Sequence, residues 1–237
     1  MAIFMRLYPS DHVLHKQIQG FIVILDLQTA AYYILDPVAT SMWNVLLSAV
    51  DEVEPLQDLQ IEYSIELSRL EKDFETFRQA CIAKGFLQEN EPAPKVKIPA
   101  RVESRHRNLL PLHAWWCLFR TVRALSTKGL SRTYQEFACL PTPEENPKNA
   151  DELLHRSITA FATAENFFLI RNAPKDCLPR SLALFRFLRS AGLAVEHCIG
   201  VQRFPFQAHA WVEYHGHVLL DNPSRQLTFT TLARITA

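Results

Sequence analysis

The first stretch of the chain alternates short strand-like segments with turns. Ile3–Tyr8 alternates weakly, and Phe21–Leu27 and Ala31–Leu35 are rich in Ile, Val and Tyr. Gln28-Thr29 supplies a turn between the last two, which predicts a hairpin. From Pro37 the apolar period becomes helical. Val38–Ser48 places Val38, Met42, Val45 and Leu46 on one face, and Leu56–Tyr63 predicts a second, shorter helix. A third helix over Ser68–Lys84 carries Leu70, Phe74, Phe77, Cys81 and Ile82 in one stripe, with Gly85 as its stop. Three strands followed by three helices predict a small winged-helix-like domain over residues 1–92.

The pattern then breaks at Glu89–Ser104, ENEPAPKVKIPARVES, whose three prolines and scattered charges predict an extended connector. The boundaries that follow are a domain at 1–92, a Pro-rich linker at 93–104 and a second domain at 105–237. In the second domain helices come first. Leu112–Leu125 brings Trp115, Trp116, Leu118 and Phe119 as bulky packing residues. Asn149–Phe168 begins with Asp151 and Glu152, which suit the positive end of a helix. Leu182–Leu188 lies in a third helix, closed by Ser190-Ala191-Gly192. Strands follow at Ala194–Val201, Ala208–Tyr214 and His217–Leu220, the last two joined by a turn at Gly216. Helices followed by an antiparallel sheet make the class α+β.

Composition narrows the function. The 237 residues are 48% apolar, which predicts a buried core and excludes global disorder. No apolar run reaches the ~18 residues of a membrane span, and the opening MAIFMRLYPSDHVLHKQ shows no export signal. Five cysteines without C-x-x-C or zinc-finger spacing suit a reducing cytoplasm rather than a disulfide scaffold. His215-Gly216-His217 lacks a third ligand, so no metal site is expected. The net charge of zero divides into −6 over residues 1–99 and +6 over residues 100–237, which favours two modules with different partners. Nucleic acid is not the partner of the first module. Glu66, Glu71, Asp73 and Glu75, at the start of its third helix, would repel a phosphate backbone. An extended peptide fits better. It would add as a strand along Tyr32, Tyr33, Ile34 and Leu35, with Phe74, Phe77 and Arg78 of the third helix as the other wall.

Candidate chemistry centres on Cys177, in N-A-P-K-D-C-L-P-R-S before a helix. Pro179 suits the first helical turn, and a thiol at a helix N-terminus meets free N–H groups that favour the thiolate. The same N–H groups can hold a developing oxyanion. His209 lies in the strand A-H-A-W-V-E-Y between two small alanines, and Asp221 ends the next strand. A hairpin centred at residue 215 would set 209 opposite 221, on one sheet face. An Asp beside a His fixes its tautomer and stabilises the imidazolium. Cys81, Cys117 and Cys198 sit among apolar residues and read as core, and Cys139 has no assignable role.

The order Cys, His, Asp over a helix and two strands is that of papain-like and transglutaminase-like enzymes. D-C-L-P-R-S-L-A-L-F-R-F-L-R-S-A-G, G-V-Q-R-F-P-F-Q-A-H-A-W-V-E and L-L-D together resemble the lasso peptide biosynthesis B family, leader peptidases with a papain/transglutaminase-like cysteine protease fold. The resemblance implies that residues 1–92 are a PqqD-like element that binds the leader of a ribosomal precursor peptide. It implies that Cys177 attacks the leader–core bond, His209 moves the proton and Asp221 orients His209. It also implies that the freed core passes to an asparagine-synthetase-like, macrolactam-forming cyclase. No P-loop occurs, so no cofactor is expected and any ATP dependence would enter through that cyclase. Arg180 and Arg203 are candidate contacts for leader or cyclase, and Asn172 is a candidate oxyanion donor. Acyl transfer to an amine and a non-catalytic peptide chaperone remain open alternatives.

Overall fold

A computed structural model describes residues 6–48, 53–91, 111–141, 143, 147, 149–169 and 177–236. The chain divides into two compact units, Met1–Lys95 and Val96–Ala237.

The first unit contains strands β1 (Tyr8–Pro9), β2 (Val13–Ile18), β3 (Phe21–Asp26) and β4 (Ala31–Leu35). Helices α1 (Pro37–Leu47), α2 (Val53–Tyr63) and α3 (Leu67–Ala83) follow, then β5 (Leu87–Gln88). β2, β3 and β4 form an antiparallel sheet in that order, and β1 pairs with β5. The β3–β4 hairpin matches the sequence expectation, whereas β2 was not expected. Its middle residues, His15, Lys16 and Gln17, are not apolar, so the strand is hard to see in the pattern. Its turn is clearer in physical terms, because Gln19 and Gly20 both take positive φ, the conformation of a tight hairpin. The expected first strand at Ile3–Tyr8 falls partly on residues 3–5, outside the described residues. Asp36 caps α1 by accepting from the Ala39 N–H at 2.8 Å. Thr40 fixes α1 to the sheet by accepting the Ile22 N–H at 2.9 Å. The core gathers Ile22, Ile24, Trp43, Leu46, Leu70 and Phe74 between sheet and helices.

The second unit begins with α4 (Pro111–Ala138), α5 (Ala150–Leu169) and α6 (Cys177–Ser190). It continues with β6 (Glu196–Gln202), β7 (Gln207–Tyr214), β8 (His217–Leu219), α7 (Pro223–Gln226) and β9 (Thr230–Ile235). α4 runs well past its expected end at Leu125 and breaks only at Gly129, where φ is 75° and ψ 174°. Its inward residues are Ala114, Cys117, Leu118 and Thr121. Trp116 and Phe119, expected to pack inside, are 50% and 40% exposed and stack on each other at the surface. They fall on the turn positions that the buried stripe skips. α6 is the central helix, with Leu182, Ala183, Leu184, Phe185, Phe187 and Leu188 all buried. It ends with Gly192 at φ 86°. The sheet runs β8-β7-β6-β9, fully antiparallel, and its outer strand β9 was not expected from the mixed segment T-T-L-A-R-I.

Candidate active site

Cys177 is the first residue of α6, with Pro179 in the first turn. The thiol is half-buried and shares a hydrogen bond with His209. It also meets the Ala210 backbone N–H and its own N–H. His209 sits near the start of β7 and is buried. Its Nε2 lies 2.6 Å from Asp221 Oδ2, which leaves Nδ1 as the nitrogen for the sulfur. Asp221 Oδ1 accepts the Asn222 N–H at 2.7 Å, so both carboxylate oxygens are engaged. The three side chains named from the sequence thus meet at one place.

The route to that meeting differs from the expected pairing. β7 pairs with β8 as Val212 with Leu219, Glu213 with Val218 and Tyr214 with His217, and the ladder stops there. Continued straight, this register would set Asp221 opposite Ala210, on the wrong face. Leu220 breaks the strand with φ 52°, and the turned chain delivers the carboxylate to His209.

The electrostatics follow from the contacts. Burial works against the Cys177 thiolate, but the His209 hydrogen bond, the Ala210 N–H and the nearby imidazolium charge outweigh it, so the thiol ionises below its ordinary value. The hydrogen bond to Cys177 raises His209 above its ordinary value, and the Asp221 contact adds to this against the effect of burial. The other buried thiols go the opposite way. Desolvation lifts Cys81 and Cys117 to about 11 and Cys198 to about 12. A poised thiolate–imidazolium pair beside a helix N-terminus can attack a carbonyl and stabilise the oxyanion that results.

The residues named for peptide binding divide by position. β4 pairs with β3 and is an outer strand of its sheet among the described residues. Tyr33 and Leu35 turn toward the core, where Tyr33 packs on Phe86. Tyr32 and Ile34 fall on the opposite face. Phe74 is only 1% exposed and lies inside the core, so its side chain offers no groove wall; the stripe it belongs to closes on α1 and the sheet instead. Phe77 packs partly buried against that core, and Arg78 is paired with Glu75 at 2.8 Å. Arg180 forms a two-pronged ion pair with Glu165 that ties the start of α6 to α5, and Arg203 lies over the Phe204 ring at 4.5 Å. Asn172 lies outside the described residues. Sequence reasoning passed over Trp211 and Phe229, whose rings lie against His209 at 6.0 and 5.3 Å between centroids. The i, i+2 spacing of His209 and Trp211 on a strand, which sets both on one face, was the available signal for the first.

The sequence matches the transglutaminase-like superfamily over residues 115–234, more than half of the chain, and the chain belongs to that superfamily. A second match, to coenzyme PQQ synthesis protein D (PqqD), covers residues 22–87. A PqqD-type domain followed by a transglutaminase-like domain bears out the likeness to the lasso peptide biosynthesis B proteins. The chain is 31% identical to the microcin J25-processing protein McjB of Escherichia coli over 87 residues, which are 37% of this chain and 40% of that protein. The solved structure of TbiB1 in complex with the TbiA(beta) leader peptide is 30% identical, with a TM-score of 0.32 over 35% of this chain and 98% of that one.

Proposed function

We propose that the protein is the leader peptidase of a lasso peptide pathway, with Cys177, His209 and Asp221 as its triad. The convergence of these three side chains at the start of α6 is the observation that carries the reading. The first unit binds the leader of a ribosomal precursor, whose chain adds along the outer strand β4. The second unit hydrolyses the leader–core bond. The Cys177 sulfur attacks the scissile carbonyl while N–H groups at the start of α6 receive the oxyanion. Collapse forms a thioester, and His209 gives its proton to the departing core amine. A water, deprotonated by His209, then releases the leader as a carboxylic acid. The core passes to an asparagine-synthetase-like cyclase, which supplies whatever ATP dependence the pathway has. The setting is cytoplasmic, in keeping with five cysteines that show no C-x-x-C or disulfide-framework spacing; no helix among the described residues is long and apolar enough to cross a membrane.

The test is to incubate precursor with the wild-type chain and with Cys177→Ala and to weigh the products by mass spectrometry. Free leader and core should appear with the wild type and be lost with the variant. Unchanged cleavage by Cys177→Ala would reject the nucleophile. An amine adduct of the leader would identify an acyl transferase instead. Failure of an electrophilic probe to label Cys177 selectively would favour a non-catalytic chaperone.

A further inference from the structure

Beyond the three side chains that meet the substrate, the face of β7 that carries His209 holds a second, buried arrangement. His209, Trp211 and Glu213 succeed each other on that face, at i, i+2 and i+4. The Trp211 ring is 1% exposed and stacks beside the imidazole, tilted 21° from it, with centroids 6.0 Å apart. Phe229 lies against the same imidazole at 5.3 Å. Trp211 is itself tied down. Its indole N–H donates to Glu213 Oε1 at 2.6 Å, and Gln226 donates to the same oxygen at 3.3 Å. The other Glu213 oxygen lies 2.9 Å from the Arg234 guanidinium of β9, which also pairs with Glu196 of β6. Room for the indole comes from Gly200, directly opposite His209 on β6. A Cβ at Gly200 would fall 2.6 Å from the Trp211 ring. The residue has no need of glycine for its backbone, since its φ is not positive.

We infer that Trp211, clamped by Glu213 and Arg234 and admitted by Gly200, is a positioning residue that holds His209 in line between Cys177 and Asp221. Two physical effects follow from its place. The imidazole, gripped by Trp211 and Phe229, cannot rotate away from the sulfur without losing ring contacts on both. The indole face also favours the charged imidazolium over the neutral ring, and thereby the thiolate paired with it. The titratable and charged groups facing this arrangement are Cys177 from α6 and Asp221 after β8. On the far side of the indole, Glu213 and Glu196 share the single guanidinium of Arg234, a network of two carboxylates and one cation.

This inference rests on the triad reading, and one experiment separates the two. The rate of Cys177 alkylation by iodoacetamide is measured against pH in the full-length protein, for the wild type, Trp211→Leu, Trp211→Met, Trp211→Phe and Gly200→Ala. A wild-type thiol that alkylates only in the ordinary thiol range would reject the triad reading itself. With an activated wild type, Trp211→Leu and Trp211→Met should move the acid limb up by about one pH unit, a loss of rate of about fivefold at the wild-type midpoint that approaches tenfold well below it. Gly200→Ala, which displaces the indole without removing it, should shift the limb the same way. Trp211→Phe keeps an aromatic face and should stay close to the wild type. In precursor cleavage the loss should fall on kcat with KM unchanged. A merely structural tryptophan would lower the yield of folded protein and leave the pH profile of the folded fraction where it was. An unshifted profile in any folded Leu, Met or Ala variant overturns the inference.

Discussion

At the scale of single residues, a thiol and an imidazole of ordinary pKa would exist together mostly as neutral groups at neutral pH. Here Cys177 is held below its ordinary value and His209 above its own, by the bond they share. Both shifts favour the thiolate–imidazolium pair over the neutral pair, and the proposed function uses that pair. Cleavage should rise as pH climbs through the lowered Cys177 ionisation, hold a plateau, and fall only above the ordinary imidazole range as His209 loses its proton. A kcat/KM profile across pH 4–10 measures this, and an acid limb in the ordinary thiol range would contradict it. The three converging side chains carry sharp local signals in the sequence: a thiol before a helical Pro179, a histidine between small alanines, an aspartate at a strand end. The bond between the last two depends on Leu220 leaving the ladder with a left-handed φ, and no residue-type preference announces that for leucine. Trp211 is hard to single out for a different reason, since a tryptophan on a strand reads first as core, and packing with Cys198 and Phe229 is indeed part of what it does.

At the scale of elements, amphipathic stripes show which side of a helix is apolar but not what covers it. α3 illustrates the point, for its stripe was legible and its partner was not. Phe74 packs into the core of its own unit, so Phe74→Ala should cost about 3–5 kcal/mol of that unit's stability, by the usual loss for a buried ring. Chemical denaturation would read this, and a variant of wild-type stability with weakened peptide binding would contradict it. α4 failed in the opposite sense, because bulk alone was read as burial and Trp116 faces out. Between α6 and β6, Ser181 and the buried His197 Nε2 meet at 2.9 Å, a contact no pattern in the chain foretells. Burial pushes His197 from 6.5 down to about 3, so the folded unit refuses a proton that the unfolded chain accepts. Stability tied to this residue is intact above pH 6.5 and is lost progressively as pH falls from there toward 3. The melting temperature should therefore drop between pH 7 and pH 5, with a flatter slope in His197→Gln. Equal slopes in the two proteins would show that other groups govern the acid response.

At the scale of the whole molecule, the Pro-rich break and the change of charge along the sequence predict two modules, and the chain forms two compact units, Met1–Lys95 and Val96–Ala237. Chain connection gives the pair its physical logic under the proposed function. A leader held on the first unit raises the local concentration of its own cleavage bond, so the thiol site itself needs little affinity. Deleting residues 1–92 should then abolish leader binding measured by fluorescence anisotropy. Slow cleavage of concentrated precursor should survive, appearing as a raised KM with kcat largely retained. Full leader affinity in the truncated chain would move the recognition site to the second unit.

The kink at Leu220 makes the short loop around His215–His217 a fixed ruler. A strand presents alternate sides with each residue, so adding or removing one residue there would swing the carboxylate to the far side of the sheet. His209 would lose its carboxylate partner although none of the three converging side chains had been replaced. Insertions and deletions, more than substitutions, are the changes this turn cannot absorb.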